Sequence, residues 1–210
     1  MKNIVVAALL VAGALALNSC RKDPLKNLSG SDALLYVTNH SDSANFSSYH
    51  TFSIADSVAV INNDRYQGKT VGDADIAYVN AVKAQLLARG YTQVGNEQTP
   101  DLGITVSRVY NTSTGVFDYG YWDPYYGGYW DPYYWGYGGY GYYFPSYYGV
   151  YSITEGAISI DAFDLKNANE SKKINNIWNG LVRGSGVFNA SNAAPAVEAL
   201  FNQSTYFKAN

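Results

Sequence analysis

The side chains that could carry acid–base chemistry in this 210-residue chain are two histidines and a pair of closely spaced aspartates. His40 lies in a predicted polar turn, and His50 alternates outward in a predicted strand. No Ser or Cys motif accompanies either ring, and the GxSxG, HExxH and phosphate-binding-loop motifs do not occur. Asp161 and Asp164 stand three residues apart at a strand end and point to different faces, whereas an acid–base pair must converge on one site. We predict structural roles for both aspartates, with a place in a site as the open alternative.

The composition narrows the function classes further. One cysteine and two histidines exclude a disulfide framework and argue against a Cys/His zinc cluster. Fourteen Lys plus Arg against seventeen Asp plus Glu give a net charge of −3. The chain therefore lacks the excess of positive charge that nucleic-acid binding needs. With 47% hydrophobic and 15% charged residues, a folded core is expected. The prediction is a folded, non-enzymatic protein with no cofactor, no metal and no nucleic-acid partner.

The single cysteine, Cys20, follows an N-terminal apolar run from Ile4 to Leu17. This run is shorter than the roughly 20 residues that a membrane-spanning helix needs, so residues 1–19 are predicted to be a cleaved signal peptide. The segment from Leu17 through Ser19 to Cys20 resembles the lipobox of bacterial lipoproteins. That resemblance implies that the Cys20 thiol carries a diacylglycerol and that residues 20–33 form the lipidated cysteine and a tether.

The residues after Cys20 indicate the membrane to which such a lipoprotein is sorted. Arg21 stands where inner-membrane lipoproteins commonly carry Asp, which favours the outer membrane. Lys22 and Asp23 resemble the short charged signal that sends some Bacteroidetes lipoproteins to the cell surface. Acyl chains contribute roughly 0.8 kcal/mol per buried methylene, so two or three of them hold a protein on a membrane. We expect a lipid-anchored outer-membrane protein. It lies either on the periplasmic face or on the cell-surface face of that membrane.

Periodicity in residues 34–210 predicts one α+β domain. Alternating apolar and polar residues predict strands, and apolar positions at helical spacing predict a helix that begins at Asp73 and ends at Gly90 and a second that begins at Asn192. The order β-β-α-β-β-β-β-α favours a largely antiparallel sheet with two helices packed on one face. Trp178 is expected in the core. The predicted strands are 34–38, 49–54, 91–94, 102–107, 158–163 and 174–183, and the first helix should bury Ile76, Val79, Val82, Leu86 and Leu87.

An aromatic insertion at about residues 111–151 interrupts this pattern. Fourteen of the 21 tyrosines and three of the four tryptophans lie between Tyr119 and Tyr151, and an eight-residue unit beginning Tyr-Trp-Asp-Pro-Tyr-Tyr occurs twice. Asp-Pro and the glycines favour turns over regular structure. The insertion is predicted to be a Tyr/Gly-rich loop that the fold does not require. Its candidate interaction residues are Tyr121, Trp122, Tyr125, Tyr126, Tyr129, Trp130, Tyr133, Tyr134 and Trp135.

Three interpretations of this loop remain open. Tyr and Trp combine apolar rings with polar tips, which suits stacking on sugars, on other aromatic segments or at a lipid headgroup boundary. The loop is alternatively a low-complexity insertion that is mobile or folds loosely over the sheet. Self-association is the third interpretation, because Tyr/Gly-rich tracts adhere to copies of themselves.

Several short motifs in their order and spacing resemble one family. They look like the domain-of-unknown-function 4136 family of bacterial envelope lipoproteins, over about Leu34 to Phe207. The resemblance implies a fold and an envelope address, and it implies no established activity. The motif residues are Phe46, Tyr49, Thr51 and Phe52, then Leu86, Gly90 and Tyr91, then Pro100, Asp101 and Leu102, then Ile160, Asp161 and Asp164, then Trp178 and Gly180.

These observations predict a lipid-anchored, non-enzymatic envelope protein that acts as a binding or structural module at the outer membrane. Its expected partners are the membrane, through the anchor, and an envelope protein or glycan. The alternative function is a surface glycan-binding or adhesive lipoprotein that acts through the Tyr/Trp-rich loop.

Overall fold

The computed structural model describes residues 34–63, 65–110, 135–137, 140–143 and 156–210. The predicted leader, Cys20 and the tether lie outside these residues. In the described part, nine strands and three helices follow one another along the chain. They are β1 (Leu34–His40), β2 (Thr51–Ile54), β3 (Val58–Asn62), β4 (Arg65–Thr70), α1 (Asp73–Ala88), β5 (Thr92–Gln93), β6 (Leu102–Tyr110), β7 (Gly141–Tyr143), β8 (Ala157–Asp164), α2 (Ala168–Ser171), β9 (Lys173–Gly184) and α3 (Ala190–Gln203).

One mixed sheet contains all nine described strands. Its main order is β1-β9-β8-β6-β2-β5, and the β1/β9, β9/β8 and β8/β6 pairs are antiparallel. Strand β2 lies parallel to β6, because the connection between them includes α1 and crosses over the sheet. Strand β3 also pairs in parallel with β6 and makes a hairpin with β4. The predicted α+β class with a largely antiparallel sheet is confirmed.

The main core lies between the sheet and the two long helices. Trp178 is fully buried there, as predicted, and its indole Nε1 donates to Ser204 Oγ at 2.9 Å. The rings of Phe201 and Phe207 lie 5.3 and 5.2 Å from the Trp178 ring. Helices α1 and α3 pack against each other on this face. The prediction of two helices on one face is confirmed, and it follows from the apolar stripe of each helix.

A buried ion pair orients α1 on the sheet. Arg108 Nε on β6 donates to the Asp75 carboxylate in the first turn of the helix. The other Asp75 oxygen accepts from the Gly72 backbone N at 2.8 Å and from Thr70 Oγ1 at 3.0 Å. Asp75 is 1% exposed, so its charge depends on these partners for the solvation that water would otherwise supply.

The structure corrects several details of the predicted elements. Ile76 and Leu87 were expected in the buried face of α1, yet they are 48% and 51% exposed, because the helix rests on Tyr78, Val82 and their neighbours instead. Helix α3 begins three residues earlier than predicted, so that Asn189 and not Asn192 holds the N-cap position, although the Asn189 side chain makes no capping bond. The side-chain Nδ2 of Asn192 donates instead to the carbonyl of Gly186. The β3–β4 hairpin was not predicted, because strand β3 is buried on both faces and shows little alternation.

Strand β6 also differs from its predicted pattern. Gly103, Thr105 and Ser107 alternate with the core residues and were expected to face solvent, but Thr105 is fully buried and Ser107 is 1% exposed. Both faces of the central sheet are therefore buried. No helix in the described part of the chain has the length and apolarity to cross a membrane.

Adjacent leucines of α1 provide a matched test of this packing. Leu86 is fully buried and Leu87 is 51% exposed. Leu86→Ala should lower the free energy of unfolding by about 2–5 kcal/mol, because it removes buried methyl groups and leaves a cavity. Leu87→Ala should change it by no more than about 0.5 kcal/mol. Urea unfolding followed by tryptophan fluorescence measures both, and equal losses would contradict the placement of α1.

Candidate functional site

Asp101 joins three chain segments at one end of the sheet. Its Oδ2 accepts hydrogen bonds from the backbone N of His50 at 2.7 Å and of Thr51 at 3.2 Å, and Thr51 Oγ1 accepts from the Asp101 N at 2.9 Å. The Asp101 carbonyl accepts from the backbone N of Leu165 and Lys166. These bonds fix the start of β2 and the end of β8 relative to β6. Asp101 thus caps the entry to its own strand.

A polar cleft of about 300 Å³ opens beside this junction. Its walls come from the loop between β1 and β2, from the turn after β8 and from the beginning of β9. Most of the lining side chains carry neutral hydrogen-bonding groups, and one carries a carboxylate. They are Ser41, Ser43, Asn45, Ser48, Tyr49, Asp164, Asn167, Asn175 and Asn176, with Ala44 and Ile177 as the apolar members.

The carboxylate of Asp164 is held in place by the cleft itself. The backbone N of Asn167 donates to Asp164 Oδ1 at 2.9 Å, and Asn167 Nδ2 donates to Oδ2 at 2.7 Å. The phenol of Tyr49 also hydrogen-bonds to Asp164. Burial and the negative charge of Asp164 both raise the pKa of Tyr49 well above its ordinary value. The phenol is the donor in this contact.

Two asparagine side chains of the cleft have amide groups without a hydrogen-bond partner among the described residues. The side chain of Asn175 is half-buried and makes no hydrogen bond in the described part of the chain. Asn45 is exposed; its Oδ1 accepts from Ser47, and its Nδ2 has no partner there. At the rim, Lys166 Nζ donates to the carbonyl of Ser48 at 2.6 Å. The cleft thus offers free amide groups next to one anchored anion.

The two aspartates singled out in the sequence lie in different places. Asp161 is fully buried in β8, where it accepts from Ser159 Oγ and from the amide nitrogens of Asn176 and Asn179 at 2.9–3.2 Å. Asp164 lies in the cleft. Their separation by three strand positions puts them on opposite faces of the sheet, as predicted. The two carboxylates do not form a pair.

The histidines are also separate from these acids. The ring of His40 stacks on Tyr206 with 4.1 Å between ring centroids, and His50 contributes its backbone N to Asp101. Within the described ranges, no group of three or more His, Cys, Asp or Glu side chains has the arrangement of a metal site. The structure brings none of the sequence-predicted acid or base candidates together.

Trp135 is the one predicted loop residue that falls in the described part of the chain. The other eight, from Tyr121 to Tyr134, lie outside it. Trp135 is 3% exposed and packs on the sheet, where a Cβ on Gly103 would lie 3.1 Å from its ring and 3.0 Å from Leu165. Gly103 therefore leaves the space that the indole fills. Trp135 was expected to be an exposed interaction residue, and it is buried instead. Its position agrees with the alternative of an insertion that folds over the sheet.

The described residues after Trp135 continue along the same end of the sheet. Tyr137 donates its hydroxyl to the carbonyl of Leu165 at 3.0 Å, and the Tyr140 hydroxyl donates to Asn169 Oδ1 at 2.9 Å. Strand β7 then pairs in parallel with β9, which sets Tyr143 opposite Asn175 of the cleft. The aromatic segment therefore reaches the edge of the polar cleft.

Sequence reasoning did not find the cleft, because its residues come from three distant segments. The signal that was available is the density of Ser and Asn in residues 41–48 and 167–176. Such residues favour turns in any case, so composition alone does not distinguish a binding surface from two ordinary connections. Only the register of β8 and β9 brings the segments together.

Comparison with known proteins gives one family. The family model described as a domain of unknown function, DUF4136, matches residues 36–204. The crystal structure of a DUF4136 family protein from Bacteroides thetaiotaomicron is 30% identical, with a TM-score of 0.66 over 84% of this chain and 98% of that chain. Two PelC dodecamer structures from Paraburkholderia phytofirmans are 9% and 8% identical over 84% of this chain and 100% and 99% of theirs, with TM-scores of 0.41 and 0.40. No curated protein matches.

The junction at Asp101 generates a stability prediction. Asp101→Ala leaves the backbone N–H groups of His50 and Thr51 without their acceptor and should cost about 1–3 kcal/mol of unfolding free energy. The matched control is Asp56→Ala, because the Asp56 side chain is 89% exposed and makes only a 3.4 Å pair with Lys83. That change should cost no more than about 1 kcal/mol. Equal thermal stability of the two variants would contradict the role assigned to Asp101.

Proposed function

The chain belongs to the DUF4136 family of domains of unknown function, and from this premise we propose that it is a lipid-anchored, non-enzymatic binding module of the outer membrane. The lipobox-like segment ending at Cys20 supports the anchor, and Arg21 after it supports the outer-membrane address. The relative from Bacteroides thetaiotaomicron supports a Bacteroidetes-type envelope lipoprotein. In this proposal the folded domain is held near the membrane by the residues between Cys20 and β1.

The observation that carries the binding function is the polar cleft. It is formed by a sheet end that Asp101 holds rigid, and its groups are suited to holding a ligand. Both oxygens of its one lining carboxylate, Asp164, accept hydrogen bonds from Asn167, and the phenol of Tyr49 interacts with the same group. Among the described residues, no His, Cys or Lys side chain lines the cleft beside them to act as a partner acid, base or nucleophile. These features support binding over catalysis.

A second candidate function is glycan binding or adhesion through the Tyr/Trp-rich segment. The observation that favours it is the pair of half-buried rings of Tyr137 and Tyr140, which lie 5.5 Å apart beside the turn that contributes Asn167 to the cleft. Tyrosine rings with one accessible edge suit stacking on sugar faces. Trp122 and Trp130, one in each copy of the eight-residue unit, are two of the nine candidate interaction residues.

The anchor is tested by Cys20→Ala. Removing the thiol should abolish palmitate labelling and move the protein from the membrane fraction to the soluble fraction, because no acyl chain then holds it. Cell fractionation with metabolic labelling measures both effects. The control is Ser19→Ala, which keeps a small residue before the cysteine and should leave labelling intact. Labelled, sedimenting Cys20→Ala protein would refute the lipoprotein assignment.

The second candidate is tested on the aromatic segment. The double variant Trp122→Ala and Trp130→Ala should lose retention on insoluble chitin and cellulose, because it removes two stacking surfaces. Tyr66→Ala on β4 is the control, since it truncates an aromatic residue outside the segment. If the double variant and the control are retained as strongly as the unchanged protein, the segment does not bind these glycans.

A further inference from the structure

We propose that the polar cleft between β8, β9 and the β1–β2 loop binds a neutral saccharide. This inference rests on the proposed binding function and assigns it a ligand class. It does not depend on the Trp122 and Trp130 rings. The hydrogen-bonding groups of the cleft, its charge, its size and its surroundings support it.

The donors and acceptors of the cleft match a ligand rich in hydroxyl groups. Ionised Asp164 has about four acceptor positions, of which Asn167 and Tyr49 fill three, so one remains for a ligand O–H. The free amide of Asn175 offers a donor and an acceptor side by side. Hydroxyls on neighbouring carbons of a sugar ring each donate and accept, so they satisfy both kinds of group together. The hydroxyls of Ser41 and Ser43, 2.8 Å apart, add a further pair.

The charge of the cleft excludes strongly ionic ligands. Among the described residues, Asp164 is the one charged side chain that lines the cleft, and the neighbouring Lys166 ammonium is already bonded to the Ser48 carbonyl. A phosphate or uronate would therefore enter beside a fixed carboxylate, and no cation in the described lining would offset the cost of its desolvation. A cation would find one remaining acceptor position on Asp164, beside the two N–H donors of Asn167 that already point at the same carboxylate. A neutral ligand meets neither cost.

The size and surroundings fit a sugar chain whose end residue enters the cleft. A volume of about 300 Å³ lies at the lower limit for small-molecule sites, which suits one or two sugar rings. Beyond Asn167, the half-buried rings of Tyr137 and Tyr140 lie along the same turn. Strand β7 pairs with the part of β9 that contributes Asn175. Further sugar units would pass along this aromatic border and contact the accessible parts of the two rings.

The test uses the full chain purified in detergent. A glycan array with neutral and acidic oligosaccharides identifies the best neutral probe, and calorimetric titration measures its affinity. Asn175→Ala should weaken that affinity roughly tenfold, the loss expected for one or two hydrogen bonds to a ligand. Ser43→Ala, a change at an exposed position, should weaken it by a smaller factor. Asn80→Ala is the matched control, because Asn80 is exposed on α1 away from the cleft and its loss should leave the affinity unchanged.

Each outcome decides the assignment. Binding of a neutral oligosaccharide that Asn175→Ala weakens and Asn80→Ala does not would support it, provided that the melting curves of the variants coincide. No neutral binding on the array, tighter binding of acidic members, or equal affinity of Asn175→Ala and the unchanged chain would overturn it. Chemical crosslinking in intact envelopes separates this result from the broader proposal. If the crosslinks identify a protein partner that is lost on Asn175→Ala, the proposed binding function stands and the saccharide assignment is wrong.

Discussion

The bonds of Asp101 are the constraint on which the candidate site depends. One carboxylate oxygen and one carbonyl receive four backbone N–H groups, two from the start of β2 and two from the turn after β8. Backbone groups at strand ends lack ladder partners and must be satisfied by other means. Asp101 supplies these partners, and in doing so it sets Tyr49 beside Asp164. The cleft is a consequence of how the ends of three strands are tied together.

A second constraint comes from burying both faces of the sheet. Strand register places Thr105, Asp161, Asn179 and Asn39 in one row across β6, β8, β9 and β1. Asp161 in this row is fully buried and is held by neutral donors from its neighbours. Asn176 donates to Asp161 and also lines the cleft, so it connects the two polar regions through β9. The hydrogen bond between Asp161 and Asn179 at the centre of this row favours one register, because a one-residue slip would leave the carboxylate without this partner.

The sequence predicted the parts of the fold that periodicity controls. Strand β8, the core position of Trp178 and the two helices on one face follow from alternation and helical spacing, and all are observed. The errors have physical reasons. Leu87 has the spacing of a core residue, but α1 is rotated so that Tyr78 and Val82 face the sheet. Thr105 alternates with apolar residues as a surface residue would, and it is nevertheless buried. The alternation of polar and apolar residues along a strand does not show whether other parts of the chain cover the second face of the sheet. The cleft depends on register between segments more than 100 residues apart, and short-range patterns contain no such information.

The proposal that the cleft holds a ligand can be tested by photo-crosslinking in living cells, with a benzophenone side chain placed in the full-length protein at the position of Asn45 or, separately, of Asn80. Both residues are exposed, but only Asn45 lines the cleft. A ligand held in the cleft should give an adduct of shifted mass from the Asn45 position and none from the Asn80 position. Adducts of equal yield from both positions, or adducts from the Asn80 position alone, would contradict it.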